Sequence, residues 1–380
     1  MDSTSVAERA PAHSRTHSSR PGGLAGDWSD FGCRINAWTP EALFERYEST
    51  RFLYPAKRAR LTPYWPMILD NWQRARQAGE LLHCVVSYDD PNGGWASMTS
   101  WRSTHAGWQT QHLVSEGTLV GGRAVMLGAV AVRMAEQRDI SQQNWFTPGN
   151  RFAAHAFGGL VRSIPPDLAG VVPGDYVMVP EPLARSLGSS HGGEEPRGRV
   201  VELDGGACPE LADLARRCRG EVYVQAEGLD RDDLGLGDVD QLYRLVGLRR
   251  YRRIWATYDT AGRMRAAVLA YRGPLGFNFS FLENRCDLLV APGLDAEETR
   301  RATDVLLAAA CDAYEGFAPG CLPVTSTLPL DRLVAAGAQR VRPYTQALWL
   351  AEAYPDFYRH IDGLYARRLR GRVEHPRRTA

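Results

Sequence analysis

Two apolar runs, residues 81–88 and 95–102, flank Pro91-Asn92-Gly93-Gly94. Strand-length runs joined by an Asn-Gly turn predict a hairpin. Upstream, residues 64–76 set Trp65, Ile68, Leu69 and Trp72 on one helical face. Residues 32–38 read as a strand, and Thr39-Pro40-Glu41-Ala42 as a capped helix start running to about Tyr47. The pattern continues with a strand at 108–115, a helix at 121–136, a strand at 143–146, a helix at 150–160 and a strand at 175–179.

The same order then recurs. It runs through a strand at 199–203, helices at 209–218 and 239–248, and a hairpin of 253–258 with 264–271. A strand at 286–291, a long amphipathic helix at 296–314, a strand at 322–325, a helix at 330–337 and a strand at 346–350 follow. A last helix carries Phe357, Ile361 and Leu364 on one face. Short matches support a duplication: Pro148-Gly149-Asn150-Arg151-Phe152 answers Pro329-Leu330-Asp331-Arg332-Leu333, and Tyr88-Asp89 answers Tyr258-Asp259. Both Tyr-Asp pairs are expected to start hairpin turns. Arg151 and Arg332, near helix starts where a cation is unfavourable, each call for a partner.

The polar, glycine-rich stretch 187–196 marks the boundary. The expected organisation is a disordered tail at 1–28, a first domain at 29–185, a linker at 186–198 and a second domain at 199–380. A net charge of +1 argues against a dominant nucleic-acid footprint. The arginine-rich C-terminus (Arg367, Arg368, Arg370, Arg372, Arg377, Arg378) reads as a solvated, frayed end. Seven cysteines without CxxC spacing read as reduced core residues, and His105, His112 and His155 are too scattered to hold a metal. No run suits a membrane span or a secretory signal, so a cytoplasmic protein is expected.

Seen twice, this element order resembles the GCN5-related N-acetyltransferase superfamily. The fold class implied is α/β (α+β): two tandem acyl-CoA N-acyltransferase-like domains, each a mixed, mostly antiparallel sheet flanked by helices. The resemblance implies an acyl-CoA co-substrate and no metal. In that family a glycine-containing loop before a helix holds the pyrophosphate. Here Ser115–Arg123 supplies Gly117, Gly121, Gly122 and Arg123, either as such a cradle or as a structural turn. In the second half Pro292, Asp295, Glu297 and Glu298 oppose an anion and suit helix capping instead. The family's later helix carries an Asn, matched by Asn150, and a proton-donating Tyr, matched only by Phe157. His155 is the nearby substitute acid or base, and Tyr314 and Tyr344 are donors from elsewhere.

The segment 276–285 alternates Phe277, Phe279 and Phe281 with polar residues. Asn278, Ser280, Asn284 and Arg285 form an expected acceptor cluster, with Glu283 as general base and Arg285 on a substrate carboxylate. A twisted edge strand with a Glu–Arg surface pair is the alternative reading. Trp65, Trp72, Trp95, Trp101, Trp108 and Trp145 line a cavity or fill a core. The expected function is acyl transfer from a thioester to an amine of a small molecule or peptide. An aminoacyl-tRNA donor and a non-catalytic binding role are the alternatives. Neither a membrane partner nor an assigned oligomer is expected, and a homodimer stays open.

Overall fold

A computed structural model describes residues 28–136, 141–189 and 200–374. The N-terminal tail to residue 27, linker residues 190–198, and Arg377 and Arg378 lie outside the described residues. The first half contributes strands β1 (Arg34–Ile35), β2 (His83–Asp89), β3 (Trp95–Arg102), β4 (Gly107–Glu116), β5 (Ser141–Phe146) and β6 (Ala169–Pro180). The second contributes β7 (Val200–Glu202), β8 (Tyr251–Tyr258), β9 (Met264–Arg272), β10 (Cys286–Val290), β11 (Cys321–Ser326), β12 (Gln339–Arg340) and β13 (Tyr344–Trp349).

Helices α1 (Pro40–Ser49), α2 (Pro55–Leu61) and α3 (Trp65–Gln77) precede the first hairpin. Helix α4 (Leu119–Glu136) follows β4. Helix α5 (Arg151–Ala153) passes through one π-helical turn (Ala154–Gly158) into α6 (Gly159–Val161). Helix α7 (Glu181–Ser189) takes up the start of the expected linker. The second half adds α8 (Pro209–Arg219), α9 (Glu221–Glu227), α10 (Gly237–Arg244), α11 (Ala296–Ala310), α12 (Asp331–Ala335) and α13 (Tyr354–Glu374). Arg367, Arg368, Arg370 and Arg372 therefore belong to a helix, not to a frayed end.

The strands form one continuous sheet, ordered β1-β2-β3-β4-β5-β13-β6-β11-β10-β9-β8-β7, with β12 on β6. Among the described strands, only β4–β5 and β10–β11 pair in parallel. The fold is therefore the expected tandem one, with mixed, mostly antiparallel strands and flanking helices. The order also shows an exchange. The first half's last strand, β6, pairs with β11 of the second half, and the second half's last strand, β13, pairs with β5 of the first.

Strand β6 serves both partners: Ala169–Gly174 pair with β13 and Asp175–Pro180 with β11. At the changeover Gly174 lies so close to the neighbouring backbone that a Cβ would stand 3.2 Å from the Ser326 carbonyl oxygen. Strand β13 carries Trp349 into the first half's helical face, stacked on Phe157 at 6.0 Å and on Phe357 at 5.5 Å. That face, built from α4, α5–α6 and α13, is one core. The opposite face, with α1 and α3, merges with the core of the second half.

Local expectations fare unevenly. Asp259 starts its hairpin turn by accepting from Ala261 N. In the first hairpin Asp90 does so, and Asp89 pairs with Arg34 instead. The acidic start of α11 is a capping box of Asp295 and Glu298. Arg332 bonds the buried Asp304.

Because each half completes the other's sheet, neither should fold alone. Residues 1–189 and 199–380 expressed separately are expected to be unfolded or aggregated, and to form a folded 1:1 complex when co-expressed. A monomeric, cooperatively unfolding 1–189 fragment in sedimentation and melting experiments would contradict the exchange.

Candidate active site

The site begins with one irregular residue in β4. Along the β3–β4 ladder, Ser97 faces Val114 and Thr99 faces Gln111, so Met98 alone opposes both His112 and Leu113. This is a β-bulge, which bends the strand that carries the extra residue. His112 takes φ +55, an uncommon conformation for a residue with a Cβ. Strand β4 pairs with β5 only over Gly107–Gln109 against Ser141–Gln143. Beyond that point the two strands separate. Asn144 Nδ2 bonds the Thr110 carbonyl at 2.6 Å, and Gln142 Nε2 bonds Thr110 Oγ1 at 2.5 Å, so side chains replace the lost ladder. In the second half β10 and β11 stay paired to the end of β11 at Ser326.

The separation opens a cleft of about 240 Å³. Its walls come from both cores. Asn150, Phe152, Ala153 and Phe157 face it from the α4–α6 side. Phe52, Tyr54 and Lys57 face it from the α1–α2 side, with Arg342 and Tyr344 leading into β13. The remaining wall is the loop holding Asn278, Phe279 and Ser280. This loop crosses from the second half and is tied down through its carbonyls. Asn71 Nδ2 bonds Leu275 O at 2.9 Å, Trp72 Nε1 bonds Gly276 O at 3.0 Å, Arg60 bonds Phe279 O at 3.0 Å and Tyr176 Oη bonds Ser280 O at 2.6 Å.

Inside the cleft, the His112 ring stacks on Phe279 at 4.2 Å. Burial, then the charges of Lys57 and His83, hold its pKa well below 6.5, so it is a neutral imidazole. Its Nδ1 is buried without a hydrogen-bond partner. An unpaired buried ring nitrogen is costly and marks a place where a ligand can bond. Ser280 Oγ and Tyr344 Oη lie 2.8 Å apart. Lys57 Nζ sits 4.1 Å from the Phe52 ring centre, and burial, Arg60 and Arg342 lower its pKa to about 8.

Asn278, Ser280 and Asn150 thus reach the cleft, Asn150 also capping α5 by accepting from Ala153 N. The other expected residues do not line it. Glu283, Asn284 and Arg285 are fully buried, in neither an acceptor site nor a surface pair. Glu283 is held by Arg250 at 2.5 Å and by the Trp101 indole; burial raises its pKa despite Arg250. Asn284 accepts from Gly273 N at 2.8 Å. Arg285 bridges Glu227 at 2.6 Å and Asp287 at 2.8 Å, and Asp287 also meets Arg219 at 3.2 Å. Burial opposes ionisation of Asp287, but Arg219 and Arg285 outweigh it and hold the carboxyl well below its usual range. Tyr314 is buried and donates to Asn284 O. His155 is exposed, its Nδ1 facing Arg151 O at 2.8 Å.

The glycine loop is explained by packing. A Cβ on Gly121 would stand 2.7 Å from the Tyr88 ring, and one on Gly122 would stand 2.8 Å from Tyr365 Oη. Gly117 takes φ +70 at the turn, and Arg123 pairs with Asp362 of α13 at 2.6 Å. Of the tryptophans, Trp145 lines the cleft while Trp72, Trp101 and Trp108 are core. From the sequence, His112 is weighed only as a metal ligand and Lys57 is not singled out. The period-2 pattern of β4 conceals the bulge at His112.

Comparison with known proteins gives distant structural similarities only. No family model and no curated protein matches. The chain is similar to tandem GCN5-related N-acetyltransferases. A tandem protein of that kind from the clavulanic acid biosynthesis pathway is 12% identical over 71% of this chain and 82% of its own, with a TM-score of 0.35. Saccharomyces cerevisiae N-myristoyltransferase, solved with myristoyl-CoA, is 10% identical over 74% of this chain and 71% of its own, with a TM-score of 0.32. A probable N-acyltransferase from Enterococcus faecalis is 11% identical over 83% and 71%, with a TM-score of 0.31.

Two measurements follow from these positions. Arg285→Met leaves Glu227 and Asp287 short of a partner and should cost about 3–5 kcal/mol in urea unfolding; an unchanged midpoint would contradict the buried network. His112, with its folded pKa depressed, contributes stability that is complete above about pH 6.5 and lost as pH falls through that value toward the folded pKa. His112→Gln should therefore lose less melting temperature than the wild type between pH 7 and 5, and parallel losses would assign the acid sensitivity elsewhere.

Proposed function

We propose that the cleft is the reaction site of an acyltransferase that moves an acyl group from a thioester, of the acyl-CoA type, to an amine of a small molecule or peptide. The observation that carries this reading is the bulge-opened separation of β4 and β5. It joins the two faces of the sheet, so two substrates can meet in it from opposite sides. The thioester lies along the α4–α6 side, where Asn150, Phe152 and Phe157 form an amphipathic wall. The amine approaches from the α1–α2 side.

The amine nitrogen attacks the thioester carbonyl carbon, forming a C–N bond as the C–S bond breaks. His112 Nδ1, neutral and unpaired, accepts the proton lost by the nitrogen. The leaving thiolate takes a proton from Tyr344, whose hydroxyl is bonded to Ser280. Phe157, at the position the resemblance gives to a donor, has no proton to donate and lines the cleft while stacking on Trp349.

CoA and acetyl-CoA should raise the melting temperature with concentration, because only binding to the native state does so. His112→Gln should keep that rise, while thiol release from acetyl-CoA with a panel of amines falls about 10²–10⁴-fold. No stabilisation at millimolar CoA would remove the thioester reading.

A further inference from the structure

Lys57 is the only lysine in the sequence, all the other Lys and Arg positions being arginine. It stands in the cleft, on α2, and among the described residues no Asp or Glu lines that cleft. The groups around the amine are Arg60 on the same helix, Arg342 before β13, His112 on β4 and the Tyr54 ring, 5.1 Å away, while Tyr344 lines the same cleft. Arg58, also on α2, is paired with Glu48 at 3.4 Å on an exposed side. Arg342 donates to Tyr54 Oη at 2.7 Å, and the Nε of Arg60 is buried without a partner.

Three cations drawn together without a counter-charge repel one another. An anion between them removes the repulsion, and the nearby hydroxyls can donate to it. The α4–α6 wall, in contrast, contributes no charged side chain to the cleft lining. We propose that the α1–α2 side of the cleft seats an anionic group, a carboxylate or a phosphate monoester, of the acceptor substrate between Lys57 and Arg342. The word acceptor rests on the acyl-transfer reading, whereas the anion site rests on these residues alone.

Lysine differs from arginine here in being titratable. A bound anion raises the Lys57 pKa from about 8, and by reciprocity the anion binds best while Lys57 is charged. Affinity should hold below about pH 8 and fall, at most tenfold per pH unit, above it.

The single lysine makes the test direct. The full chain labelled with [ε-¹³C]lysine gives one resonance, titrated by NMR alone and with inorganic phosphate, succinate, CoA or neutral pantetheine. Phosphate or succinate is expected to raise the midpoint by about one pH unit, and whichever does so names the head group. By calorimetry, Lys57→Arg should keep anion binding but flatten its pH dependence, and Arg342→Met should weaken it about tenfold or more. An unmoved midpoint with both anions overturns the site. A shift with CoA but not with phosphate, succinate or pantetheine assigns the cations to the donor and overturns the acceptor assignment. If phosphate or succinate shifts the midpoint while CoA fails to stabilise the protein, the anion site stands and the thioester reading falls.

Discussion

Everything in this molecule depends on the reciprocal exchange of two strands. Strand β13 fills the gap between β5 and β6, and β6 in turn closes the edge of β11. A strand inserted between two others satisfies backbone groups on both sides, so the exchanged strands are central and their loss would expose two open edges. The exchange also explains why β6 needs twelve residues and why a glycine stands at its changeover. It places Tyr344, a residue of the second half, on the wall of a cleft opened by the first.

The two halves share a plan and differ in one local feature. A bulge at His112–Leu113 turns β4 away from β5. Strands β10 and β11 have no such bulge and remain paired. The matching region of the second half holds charge instead: Asp287, on β10, is locked by Arg219 and Arg285 and bonded by Tyr223. One half holds an opening, and the other a buried, internally neutralised charge network. The loop 275–281, bonded by Asn71, Trp72 and Arg60 of the first half, joins the second half to the cleft wall.

The expected acceptor cluster shows where one-dimensional reading stops. Asn278 and Ser280 reach the cleft, while Glu283, Asn284 and Arg285, a few positions later, are fully buried. The alternation of phenylalanines suggested a strand with a polar face. The segment is instead a loop with Phe281 at φ +62, and Phe277, Phe279 and Phe281 all enter the core. Apart from Asp287, two positions from Arg285, the partners of Glu283 and Arg285 are Arg250, Trp101 and Glu227, which no local pattern links to them.

The sequence by itself determined most of the order of elements, though not α2, α7, α9 or β12, together with the hairpins, the capped start of α11 and the repeated short matches. Each of these rests on local physics: turn residues, capping side chains and the period of apolar positions. The singularity of Lys57 was legible there as well. Tertiary structure alone decided which strand completes which half, because backbone pairing is indifferent to side-chain identity and several edges of similar pattern compete for each strand. It alone decided that a histidine in an ordinary-looking strand would sit on a bulge, and that carboxylates with the composition of a site would be consumed by buried arginines. Those outcomes depend on contacts that no short window of sequence contains, such as Arg285 with Glu227 or β13 with β5, where desolvation and pairing, rather than propensity, set the result.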